Sequence, residues 1–264
     1  MKHPVLRLFI VGISILFMSA CVSTYVPPTP SYKLSAGDKV GILISAKDNP
    51  THTHVGTTIF HNFTSEYEFD WGIKQAIFEE FKNHIEGKSP YQVVNLEDYA
   101  VQQTDLAKFV EVKDKKWSFT QANNELRESL LQAGIKAVIL IEETPALAVL
   151  ECSAYGCSEH YSQGYGLFTR SFLGMDRYMA STSFRVQIET LDEPIDIMLL
   201  DEFRETQHYM SKHPMLEGFT DPQDFKQLTE EEMEPVKVGI VGYFSNLASM
   251  LKGFLEGSAT QTNS

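Results

Sequence analysis

Cysteine and histidine are the residue types in this chain best suited to chemistry, and their spacing limits what that chemistry can be. The 264 residues hold three cysteines and eight histidines. Cys152 and Cys157 bracket a short segment that Gly156 helps to turn. Paired thiols in oxidising compartments are commonly disulfides, so a Cys152–Cys157 bridge is expected. The alternatives are two free thiols, or a metal site with His160 as third ligand, an incomplete set with a spacing unlike zinc patterns. His52 and His54 lie two apart, and an extended chain would put both imidazoles on one face. With His61, and with Asp48 or Glu66 in range, they could build a catalytic zinc site of three protein ligands and one open position. The preferred reading is a polar surface loop of solvated histidines, with no metal and no cofactor. The usual hydrolase, phosphate-loop, dinucleotide, zinc-protease and calcium-loop motifs do not occur. Ser249-x-x-Lys252 has the letters of a serine–lysine nucleophile but lacks the companion motifs, so no catalytic residue is assigned.

The segment from Cys152 to Ala180 is the most distinctive. It concentrates Tyr155, Tyr161, Tyr165, Phe168, Phe172 and Tyr178 among four glycines, and places Arg170 and Arg177 in a chain of net charge −13. It is longer than an ordinary connection, whose median is about 4–6 residues. One reading is a long hairpin or covered loop that buries its aromatics in the same domain. Another is a binding surface, since Tyr and Arg are enriched at protein interfaces. A third is a membrane-inserting hairpin, for which the lipid-facing alternation is weak. The binding reading predicts an exposed tip at Phe172–Tyr178, with Arg170, Phe172, Arg177 and Tyr178 engaging an acidic partner.

The third cysteine belongs to the amino terminus. Lys2 and Arg7 precede an apolar run from Val5 to Phe17, and Met18-Ser19-Ala20-Cys21 follows. A charged start, a short apolar stretch and small residues make a signal peptide over residues 1–20. The run is shorter than the roughly 20 residues of a membrane-spanning helix. Met18-Ser19-Ala20-Cys21 resembles the lipobox of bacterial lipoproteins, with Met18 where the family usually has Leu. The resemblance implies cleavage before Cys21, a diacylglyceryl thioether on its sulfur and an acylated amine. Several acyl chains anchor stably where one does not. Val22 rather than Asp after the cysteine implies, for a Gram-negative source, the outer membrane with the domain facing the periplasm. Residues 21–33 then form a lipidated, Pro-rich tether, extended at about 3.1 Å per residue where it is polyproline-like.

The remainder reads as one domain over residues 34–256 and a flexible tail over 257–264. Hydrophobic residues at 43% are enough for a substantial core. The acidic charge argues against nucleic acid and leaves anchoring to the lipid. Strands are expected at Lys39–Ala46, Tyr91–Leu96, Ile135–Glu142 and Ala146–Cys152, with Lys47–Thr58 as a polar stretch. Trp71–Ile85 and Thr120–Ala133 have helical patterns. Ser183–Leu191 alternates, with Glu189 on the polar side, and Ile195–Phe203 is its expected hairpin partner. A capping box at Thr229 and Glu232 opens a long apolar-striped helix that packs on the sheet. The fold class is α/β to α+β: a mixed sheet with flanking helices, an antiparallel second half and a long carboxy-terminal amphipathic helix.

The order of elements is similar to the periplasmic α/β domain of Tol-translocation, curli-export and penicillin-binding-protein-activator lipoproteins. Val40-Gly41-Ile42-Leu43 and Ala133–Leu140 carry that similarity. The expected function is a membrane-anchored lipoprotein that binds or helps to assemble another envelope component, an envelope protein in the first instance. The alternative is a cell-envelope hydrolase or metal-dependent enzyme.

Overall fold

The computed structural model describes residues 25–28, 30–87, 89–99, 101, 108–154, 156–210, 216, 219, 220, 222, 224, 225 and 227–257. The expected signal peptide, Cys21, Tyr155 and the residues beyond Gly257 lie outside the described residues.

Two four-stranded sheets organise the chain. The first has the order β12 (Phe184–Thr190), β7 (Ile135–Glu143), β1 (Lys39–Ser45), β4 (Gln92–Asn95). Strand β1 runs parallel to both β4 and β7, and β12 is antiparallel to β7. Parallel central strands must be covered on both faces, and the near-continuous apolar run of β7 supplies both. Ala137, Ile139 and Ile141 enter the main core, while Val138 and Leu140 enter a second cluster. Helix α1 (Ile73–Glu86) packs on the first face through Ile73, Ile77, Phe81 and Ile85, four residues apart. Helix α2 (Asn124–Gln132) covers the other with Leu130.

The second sheet has the order β11 (Met175–Ser181), β10 (Gly166–Phe172), β2 (Thr51–Val55), β3 (Phe63–Glu66). Strand β10 lies parallel to β2 and antiparallel to β11. Gly166 has φ 135°, and a Cβ there would sit 2.1 Å from the Thr51 carbonyl oxygen, so the approach of β10 to β2 requires glycine. One face of this sheet is roofed by the hairpin β8 (Ala146–Ser153) and β9 (Gly156–Ser162), where Ala148 and Leu150 meet Val55 and Phe168. The other joins the main core through Leu167 and Ala180. A small hairpin of β5 (Val110–Lys113) and β6 (Lys116–Phe119) turns on Asp114 and Lys115, both at positive φ.

Helix α3 (Asp201–Met210) precedes α4 (Glu230–Leu255). The Thr229–Glu232 capping box is present, and the α4 stripe is buried from Met233 to Leu255. This helix is long and apolar enough to cross a membrane by length and composition, but its stripe packs against α1 and the sheets.

Mixed sheets, flanking helices and the terminal helix are thus as expected. Three local expectations are corrected. Lys47–Thr58 is not an irregular polar stretch, because Thr51–Val55 is a fully buried strand. Ile195–Phe203 is no hairpin partner. It forms one isolated bridge to β12, Glu189–Asp196, with Thr190 and Ile195 bonded beside it, then Asp196 accepts from the Met198 N–H and tightens the chain into a 3-10 turn. Helix α2 begins at Asn124 rather than after Thr120, whose hydroxyl instead donates to the Lys108 carbonyl at 2.6 Å. In residues 152–180 the long hairpin that buries its aromatics is present, as strands β9, β10 and β11 with Tyr165 and Phe168 fully buried.

Candidate functional site

The expected disulfide is present: Cys152 and Cys157 are bonded and face each other across the β8–β9 hairpin. With a sequence separation of only 5, the entropic stabilisation is at the low end, about 2 kcal/mol or less. The bridge closes the roof of the second sheet.

On that sheet's opposite face lies a buried polar cluster. His52 and His54 share a face of β2, as their spacing predicts, but both are buried, at 0% and 7% exposure. The solvated-loop reading is therefore corrected. Apolar rings enclose the pair: Phe63 lies 5.0 and 4.9 Å from the two imidazoles, and Phe225 lies 5.5 and 5.6 Å away. Thr169, opposite His54 on β10, joins them. Its hydroxyl is 2.8 Å from His52 Nε2 and 2.6 Å from His54 Nδ1. On the other side, His52 Nδ1 is 3.2 Å from the Tyr67 hydroxyl, which donates to the Phe225 carbonyl at 2.8 Å.

The carbonyl sets the direction of this chain, because it can only accept. The Tyr67 proton points to it, so His52 Nδ1 carries a proton and donates to Tyr67. His52 Nε2 then accepts from Thr169, and Thr169 accepts from His54 Nδ1–H. The arrangement leaves Nε2 of His54 as the lone-pair nitrogen at the end of the relay. Burial keeps both rings neutral. It pushes His52 down to about 4 against the opposing pull of the Phe225 carbonyl. It also lowers His54, helped by Arg170 and His61 and opposed by Asp176.

His54 is the relay residue that reaches a cavity of about 540 Å³, shared with Gly56, Thr57, Phe60, His61, Asn62, Phe63 and Ser171. His61 lies on its exposed wall, paired with the Thr58 hydroxyl at 3.1 Å. Among the described residues no three His, Cys, Asp or Glu are grouped to hold a metal. The imidazoles of His52 and His54 meet at a threonine hydroxyl, not at a shared point with His61, Asp48 or Glu66.

The proposed docking residues separate. Arg170 is a correction: it is 7% exposed and donates from Nε and Nη2 to Glu151 at 2.8 and 3.0 Å. Phe172 is half-buried under that guanidinium, 5.0 Å from its ring centroid. Tyr178 is half-buried against Phe219 at 4.8 Å, and Arg177 is exposed. The tip itself is exposed, but through Leu173 and Met175, at 73% and 58%. Thr57 donates to the Ser171 carbonyl and accepts from the Leu173 N–H, stapling this tip to the loop carrying Ile59 and Phe60, exposed at 78% and 88%. Sequence reading missed this loop, although two adjacent large apolar residues in a polar stretch were the available signal.

A second cavity, of about 340 Å³, opens at the carboxyl ends of β1 and β4 beside the start of α1. Such positions commonly bind ligands in α/β sheets. Here Asp70 takes the Gly72 N–H at 2.7 Å and Asp48 pairs with Lys74 at 2.7 Å, so the helix start is already met by carboxylates.

Away from both cavities, Glu189 is fully buried, which corrects its assignment to a polar face. Its Oε2 accepts from the Phe109 and Val110 N–H groups, and Asp196 lies close by. Burial, then Asp196, pushes its carboxyl up to about 7. The folded state then holds a proton that the unfolded state, titrating near 4.5, gives up sooner. Stability from this group is full below pH about 4.5 and is lost as pH rises through about 7. Urea unfolding between pH 5 and 8 should show a fall of up to about 3 kcal/mol, and Glu189→Gln should flatten it. An unchanged slope in that variant would assign the pH dependence elsewhere.

Comparison with protein-family models, with curated proteins and with solved structures finds no match to this chain.

Proposed function

We propose that this chain is a lipid-anchored envelope lipoprotein, acylated at Cys21 and held on the outer membrane facing the periplasm, that binds an envelope protein without catalysis. The anchor reading rests on the lipobox-like Met18–Cys21 and gains support from the Cys152–Cys157 bridge, which suits an oxidising compartment.

The observation that carries the binding reading is the apolar rim of Ile59, Phe60, Leu173 and Met175, assembled from two loops by one threonine. Grouped exposed apolar side chains mark interaction sites more often than scattered ones. The rim is remote from the tether. Leu34 is held by the Leu255 carbonyl at the end of α4. Gly239, about 24 Å back along the helix at 1.5 Å per residue, packs on Ala180 of β11, and that strand leads away to Met175. The rim is also locally neutral, since Glu151 offsets Arg170 and Asp176 adjoins Arg177. The partner it fits is therefore an apolar segment of a protein, not the acidic one that Arg170 and Arg177 suggest in sequence.

A photo-crosslinker at Leu173 in intact envelopes is expected to give a discrete protein adduct. Serine at all four rim positions should leave the far-UV dichroism and melting temperature unchanged while reducing capture about 100-fold, the effect of two buried anchors. Adducts from other faces with none from the rim would overturn the assignment.

A further inference from the structure

We infer that the cavity beside His54 is a binding site for an uncharged sugar ring. The proposal does not depend on the lipid anchor, and it shares Phe60 with the rim proposed for the protein partner. Its first support is the composition of the wall. His54, Gly56, Thr57, Phe60, His61, Asn62, Phe63 and Ser171 include no Lys, Arg, Asp or Glu, and in a chain of net charge −13 a wall without carboxylates or fixed cations selects against ionic ligands in both directions. Its volume, about 540 Å³, lies within the roughly 300–1,000 Å³ of small-molecule pockets.

The second support is the pairing of an aromatic platform with directed hydrogen-bonding groups. Phe60 is 88% exposed at the cavity edge. An aromatic face is electron-rich, and the C–H face of a pyranose is its complement. Around it, the relay presents His54 Nε2 as an acceptor. Asn62 receives the Gly56 N–H on Oδ1 at 3.0 Å, which fixes its amide and directs the NH2 end as a donor. A sugar ring offers both parts at once, a C–H face and hydroxyls that donate and accept.

The third support is preorganisation. The buried chain from the Phe225 carbonyl through Tyr67, His52 and Thr169 fixes both the ring orientation and the tautomer of His54. The same bonds satisfy the two buried imidazoles, and in doing so they set the hydrogen-bonding groups of the cavity before a ligand arrives, which gives a recognition site selectivity.

The test uses the purified full chain in detergent, with the neutral trimer of N-acetylglucosamine as probe and a uronic-acid trimer as the charged comparison. Phe60→Trp places a reporter at the platform; the native Trp71 and Trp117 pack against the core. A saturable fluorescence change with half-point near or below about 1 mM is expected for the neutral trimer. By calorimetry, Phe60→Ala should weaken binding at least about tenfold, while Leu173→Ser, on the rim but outside the cavity, should leave it unchanged. No saturation by the neutral trimer, equal or tighter binding of the acidic one, or equal loss in Leu173→Ser would each overturn the proposal.

Discussion

Replacing Arg170 with Ala is expected to destabilise the domain by about 3 kcal/mol, the scale for removing one partner of a buried ion pair. Sequence alone marks this arginine as an exposed cation whose loss should leave stability untouched. In the fold it closes the contact between the β8–β9 roof and the second sheet. Its guanidinium donates to both Glu151 carboxylate oxygens and to the carbonyls of Val55, Gly56 and Ser171. The same contact lowers the Glu151 carboxyl, chiefly by hydrogen bonding to Arg170. Truncation leaves the carboxylate and two buried carbonyls without their donor. Glu151 keeps 31% of its side chain exposed, which places the loss at the lower end of the range for buried pairs. Lysine should recover only part of the loss, because a single ammonium cannot reproduce the bidentate fork. The double change Arg170→Met with Glu151→Leu should be less damaging than Arg170→Ala, since no charge is then left unpaired. Urea unfolding of the four proteins measures this. A cost below about 1 kcal/mol for Arg170→Ala would mean that the pair behaves as a surface salt bridge.

The second large effect is expected at Cys21. Cys21→Ser should move the protein from the membrane fraction to the soluble fraction and remove the acyl mass from its amino-terminal peptide. Each buried methylene contributes about 0.8 kcal/mol, so several chains hold stably where one is marginal. No other feature of the acidic chain favours an anionic membrane surface. Fractionation with intact-mass analysis decides it. A serine variant still acylated and still processed between residues 20 and 21, or a wild-type protein found soluble and unmodified, would refute the anchor.

The proposed anchor rests on local residue order, so proposing it needs no fold. The same holds for the elements whose patterns are local. The four-residue spacing of Ile73, Ile77, Phe81 and Ile85, the two-sided apolar run of β7 and the Thr229–Glu232 box each specify their own conformation. The Cys152–Cys157 bond was legible too, because only two thiols remain once Cys21 is set aside and they lie at a sequence separation of 5.

What tertiary structure alone decided is which polar residues are interior. Thr-His-Thr-His-Val reads as a surface stretch because its side chains are hydrophilic. It is buried because Gly166 lets β10 approach β2, Thr169 arrives from 115 residues away to satisfy His54, and the Phe225 ring closes over both imidazoles. Glu189 follows the same logic: alternation places it on the polar side of β12, and the backbone N–H groups of Phe109 and Val110, 80 and 79 residues distant, make its burial tolerable. Arg170 alternates correctly within β10, but the partner that neutralises it comes from the β8–β9 roof. Burial of a polar group costs free energy unless a partner meets it. The sequence names the group and its strand face; only the folded chain brings the partner, and the partner determines whether the group is exposed, structural or part of a site.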